Sequence, residues 1–136
     1  MKAITVRQPW AWAIMHGGKD VENRTRNMAG TYRGPLVIHA GKTHDEDDYY
    51  DVQDLLPDGT AIPDDLALGS AIGVADLVHV HHAFGCAQSC SAWSVADQFH
   101  LVLVNQRPFP EPIPYKGALG LWNFPDYLLP EGWDNR

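Results

Sequence analysis

Lys19, Glu22 and Arg24 lie in one short segment directly after the pair Gly17-Gly18. If that segment is extended, residues two apart share a face. Glu22 and Arg24 then project together with Asp20 alongside, and Lys19 joins them through a bulge. A lysine beside a carboxylate in a water-poor cleft can act as base or nucleophile, because desolvation disfavours its charged form. The carboxylate can orient the amine or carry a proton to a leaving group. The plainer reading is a solvated ion pair, which is common and contributes little. The two glycines have no side chains to cover the ammonium, so Lys19 is the first candidate for chemistry or for phosphate binding.

Arg7, Gln8 and Trp10 form a second group at the start of an expected helix. An arginine fork pairs with phosphate or carboxylate, a glutamine amide reads a base edge, and a helix N-terminus favours an anion. Trp10 is suited to stacking a base and equally to filling a core. Arg24 and Arg33 offer further phosphate contacts, and Tyr115 with Lys116 lies in a proline-bounded loop suited to a rim. Asp76 alternates with Val74 and Val78, so it points either into a polar cleft or into water.

His79, His81, His82, Cys86 and Cys90 collect zinc-ligand types, and Cys-x3-Cys lies within the allowed spacings. As metal ligands this cluster offers Cys86, Cys90, His81 and His82. The alternatives are a solvated histidine-rich strand end, free thiols, or a local disulfide. Otherwise no cofactor is expected, a divalent metal being the alternative. The run Asp45-Glu46-Asp47-Asp48 reads as a solvated helix start, because adjacent acids on a helix point in different directions.

The elements that must hold these residues can be sketched from pattern. Lys2 to Val6 reads as a strand and Gln8 to Gly17 as a helix stopped by its glycines. Lys19 to Arg24 is extended, and Pro35 to Ala40 is a buried strand. Residues 45–56 form a helix with acids in its first turn. Ser70 to Val80 is the longest strand, in which Gly73 marks a bulge or a close approach. Phe99 to Val104 and Leu119 to Phe124 complete the strands. The four prolines between Arg107 and Pro114 exclude a central strand there. Short strands with two helices indicate a small α+β barrel.

The chain has 136 residues, 45% hydrophobic and 20% charged, which fits one domain over 1–136. No stretch approaches the roughly 20 apolar residues of a membrane helix, no signal peptide is evident, and two cysteines make no disulfide framework. A cytoplasmic location is the expectation. The net charge of −7 argues against a non-specific nucleic-acid coat. Yet residues 1–42 carry +5 and the remainder −12, so a local basic cleft on an acidic body is expected.

Three blocks carry a resemblance. They are Val6-Arg7-Gln8-Pro9-Trp10-Ala11 with Gly18-Lys19-Asp20-Val21-Glu22-Asn23-Arg24; Tyr32-Arg33-Gly34-Pro35-Leu36-Val37-Ile38-His39-Ala40; and Phe99-His100-Leu101-Val102-Leu103 with Pro112-Ile113-Pro114-Tyr115-Lys116-Gly117 and Gly120-Leu121-Trp122. In this order they resemble the ASCH family of the PUA-like superfamily. The resemblance implies a small β-barrel with two or three flanking helices and a cleft beside the first helix. It also implies binding of single-stranded RNA or a modified nucleoside. The alternatives are a hydrolase of acylated cytidine or of RNA using Lys19 with Glu22 or Asp76, and a protein-interaction domain. In the N4-acetylcytidine amidohydrolases that this family includes, the motif is Lys-Thr-x-Thr with a later glutamate. Lys19 matches the lysine, Asp76 stands for the glutamate, and Glu22 replaces the second threonine. A carboxylate cannot supply that hydroxyl as nucleophile or oxyanion donor, which argues against the same mechanism here.

Overall fold

The computed structural model describes residues 1–83 and 90–133. β1 (Lys2–Gln8) forms where Ile4, Thr5 and Val6 favour a pleated backbone, and it buries Ile4 and Val6. Pro9 follows a cis peptide bond, and its carbonyl accepts from the Ala13 N–H at 2.9 Å as α1 (Trp10–His16) begins. α1 stops at Gly17, and Gly18 turns the chain with φ of 80°. Next come β2 (Val21–Arg24), β3 (Gly34–His44) and α2 (Glu46–Leu55), in which the Asp45 side chain accepts from the Asp47 N–H. β4 (Ser70–His82), β5 (Phe99–Pro114) and β6 (Leu121–Asn123) complete the chain of elements.

The six strands form one sheet in the order β2-β5-β4-β3-β1-β6, antiparallel except for β1 with β3. This is the expected α+β barrel-like architecture with two helices. β6 pairs with β1 only along Lys2, Ala3 and Ile4, so the outer edge of β1 is unpaired from Thr5 onward. There the Arg24 guanidinium, at the end of β2, donates to the Thr5 carbonyl at 2.8 Å. The two ends of the sheet are therefore joined by a side chain rather than by a ladder.

One core cluster combines Ile4, Leu36, Ile38, Leu77, Leu101 and Leu103 with Ile14 and Met15 of α1. A second, built on Val37, Val74, Phe109 and Phe124, packs Tyr115 and Trp122 against it. A third joins Ala13, Val52, Leu56 and Trp93.

Gly73 is both a bulge and a close approach. The β4–β5 register shifts between Ala71 and Gly73, and a Cβ at Gly73 would stand 2.5 Å from Met15 Sδ and 2.7 Å from the Arg107 carbonyl oxygen. β5 differs from expectation in running on through the prolines to Pro114. The physical reason is its neighbour: β2 covers β5 only from Phe99 to Val102, so the proline half is an edge, where a missing N–H costs no ladder bond.

Candidate nucleotide-binding site

The seam between β1 and β2 opens into a cavity of about 400 Å³ lined by Thr5, Arg24, His39, Lys42, Lys116 and Gly117, with Leu119 at its rim. Among the described residues, three cations and no carboxylate contribute to this lining. Behind it stands the Lys19–Glu22–Arg24 group. Glu22 Oε1 receives the Lys19 ammonium at 2.9 Å, and Oε2 receives Arg24 Nε at 2.9 Å. Lys19 Nζ also donates to the Val21 carbonyl and lies 5.7 Å from the Trp10 ring centre. Burial pushes the Glu22 carboxyl up, but the two flanking cations and their hydrogen bonds outweigh it and hold the group below the usual carboxylate range.

His39 forms the cavity wall. Its Nε2–H donates to the Tyr115 carbonyl at 2.6 Å, which leaves Nδ1 to accept from the Thr5 hydroxyl at 3.3 Å. Thr5 Oγ in turn accepts from the Trp122 indole at 3.1 Å. Burial lowers the His39 pKa, and the bond to Tyr115 opposes that shift. Gly117 is required beside this chain, because a Cβ there would come within 2.6 Å of Thr5 Oγ and 2.8 Å of the His39 ring.

The sequence-predicted residues divide. Glu22 and Arg24 do share a face of β2, and Arg24 and Lys116 reach the cavity. Lys19 does not stand open beside the glycines. It is 1% exposed, closed in by Trp10 from α1 and by Glu22. Trp10 itself packs on the core and meets Trp93 edge-on at 6.5 Å. Gln8 does not face the cavity either. Its amide donates to the Ala67 carbonyl and accepts from the Trp12 N–H, spending both ends on the fold. Arg7 pairs with Asp48 of α2 at 3.2 Å, and Arg33 donates to the Gly30 and Tyr32 carbonyls. Asp76 is held by Arg107 and Asn105, each at 3.1 Å, beside Arg33 in a different groove. The Tyr115 ring stacks on Trp122 with centres 5.6 Å apart, so its backbone rather than its ring serves the site.

Thr5, His39, Lys42, Gly117 and Leu119 were not singled out from sequence. His39 within the apolar run Pro35 to Ala40 was the available signal, since a histidine buried in a strand needs partners.

Of the four expected metal ligands, Cys86 lies outside the described residues. His81 and Cys90 do converge, but with His100 in place of His82. The His82 ring packs against Phe99 instead, 4.9 Å away. Among the described residues no helix is long and apolar enough to cross a membrane.

A family model for the ASCH domain matches residues 4–113, and this chain belongs to that PUA-like family. No curated protein matches the chain.

Proposed function

We propose that the cavity at the β1–β2 seam binds a phosphate-bearing nucleotide, as part of single-stranded RNA or of a modified nucleoside. The observation that carries this reading is the lining: Arg24, Lys42 and Lys116 converge with no carboxylate among the described lining residues, on a protein of net charge −7. The volume of about 400 Å³ suits a single nucleotide-sized ligand. His39 and Thr5 supply a polar wall, and exposed Leu119 offers an apolar surface for a base or sugar. ASCH membership supports an RNA-related role in general.

Binding is favoured over turnover by the state of the carboxylates. Both oxygens of Glu22 are engaged by cations, Lys19 is closed off from the cavity, and Asp76 lines another groove. The hydrolase alternative then rests on the Lys19–Glu22 pair alone, and incubation with acylated cytidines and with labelled RNA, with and without manganese, tests it.

The binding test is fluorescence anisotropy with a short labelled single-stranded RNA at two salt concentrations. Lys42→Ala and Lys116→Ala should each weaken binding and each reduce the salt slope by about 0.7, the value for one lost phosphate contact on a single strand. Absence of binding at low salt, or binding indifferent to both substitutions, would refute the reading.

A further inference from the structure

His81 at the end of β4 and His100 at the start of β5 are directly paired across the ladder, and Cys90 comes from the connection between these strands. Three ligands thus arrive from three places in the chain. His81 Nε2 lies 3.3 Å from His100 Nδ1 and 3.0 Å from Cys90 Sγ, and Cys90 Sγ lies 3.7 Å from His100 Nδ1. These separations can be compared with a tetrahedral zinc centre. With Zn–N of about 2.05 Å and Zn–S of about 2.3 Å, ligand atoms stand about 3.3 Å apart for N···N and about 3.6 Å for N···S. Two of the three observed distances match to about a tenth of an ångström, and the third is shorter.

The second observation is the orientation of His100. The residue is 2% exposed, and its Nε2–H donates to the Val95 carbonyl at 2.7 Å. That bond places a proton on Nε2, so in the neutral ring the Nδ1 lone pair points at His81 and Cys90. A ring N–H tied to a backbone carbonyl, with the other nitrogen aimed at a shared point, is how proteins hold a metal-ligating histidine.

We propose that His81, Cys90 and His100 form a zinc site in the thiol form of the protein. Cys90 is disulfide-bonded in this structure, so the site and the disulfide are alternative states. A small-molecule thiol converts one to the other: two equivalents of R–SH give two electrons and two protons to the disulfide, leaving protein thiols and R–S–S–R. Zinc then displaces the Cys90 thiol proton as the S–Zn bond forms. The site clamps the connection between β4 and β5 at its base. That connection carries Trp93, which meets Trp10, and its Trp93 carbonyl and Val95 N–H hold both ends of the Asn23 amide on β2. Zinc at this place braces the strand that delivers Glu22 and Arg24.

The experiment uses the full chain reduced with a phosphine and loaded with zinc or cobalt(II), with bound metal counted by mass spectrometry. The expected result is about one zinc per chain, and cobalt(II) spectra showing a thiolate-to-metal band and tetrahedral d–d transitions. Cys90→Ser should abolish the thiolate band. His100→Ala should lower zinc affinity at least about 100-fold, since losing a second-shell partner alone costs 10- to 100-fold. Buried His100 could be needed for folding, so Cys90→Ser, at an exposed position, is checked by circular dichroism and decides the case if His100→Ala does not fold. His79→Ala, at an exposed neighbour outside the group, should leave stoichiometry unchanged. Failure of the reduced, folded protein to take up zinc or cobalt(II) would overturn the proposal. So would uptake that survives Cys90→Ser with its spectrum intact, or uptake of copper(II) to the exclusion of zinc. None of these results depends on RNA binding.

Discussion

Glu22 is a carboxylate held ionised in the protein interior by two cations, and its worth to the fold follows from that placement. Removing one partner of a buried pair leaves the other charge uncompensated. Glu22→Gln should therefore cost about 3 kcal/mol at pH 7, measured by urea unfolding. The pH dependence has a definite sign. The folded carboxyl titrates below its ordinary value of 4.5, so the unfolded chain binds the proton first. The stabilisation is complete above that value and is lost as pH falls through the folded pKa, so the gap between wild type and Glu22→Gln should narrow below pH 4.5. A gap that is constant with pH would contradict the assignment. The Glu22–Arg24 contact was legible in the sequence because two-residue alternation on a strand is a local rule. The burial of Lys19 was not, since the ring that covers it belongs to α1 and meets it only through the tertiary fold.

Strand β4 shows what an element contributes. Its glycine at position 73 lets α1 and β5 close on it together, with Met15, Arg107 and Pro108 all within 3 Å of where a Cβ would be. Two of those neighbours are backbone and cannot yield cheaply. Gly73→Ala should destabilise by about 2 kcal/mol, the usual scale for overpacking, with the loss read from the denaturation midpoint. The glycine's role was readable in advance because a lone glycine in a strand has few explanations. The extent of β5 was not readable. Prolines report that no partner needs their N–H, but they do not say on which edge the strand lies. His100 was missed for a related reason: its pairing with His81 depends on a register that shifts three times along β4 and β5.

Across the whole molecule, the charge asymmetry seen in the sequence is realised differently from its simplest reading. Of the basic residues in the first 42 positions, Arg24 and Lys42 line the cavity, while Arg7 is paired and Lys19 is enclosed; Lys116 comes from the acidic remainder. The barrel was legible because strand number and pattern constrain it, whereas the cavity depends on where the sheet fails to close. A small basic site on a body of net charge −7 should have a short footprint. Lengthening a single-stranded RNA beyond the few nucleotides that fill the cavity should add little affinity beyond the statistical gain from extra registers. Affinity that climbs steadily with length would instead indicate an extended basic track.

The segment that carries Lys116, Gly117 and Leu119 is fastened just before and just after itself. Tyr115 donates its N–H to Gly69 and stacks on Trp122, and Leu121 pairs with Ile4 on β1. Between those fastenings Leu119 is 98% exposed, so most of what the segment presents to a ligand bears no weight in the core. Such a segment behaves as an exchangeable cassette. Substitutions at 116, 118 and 119 should change the face that the segment presents without renegotiating the barrel, whereas Gly117, wedged against Thr5 and His39, and Gly120, with φ of 67°, are held to glycine by the fold.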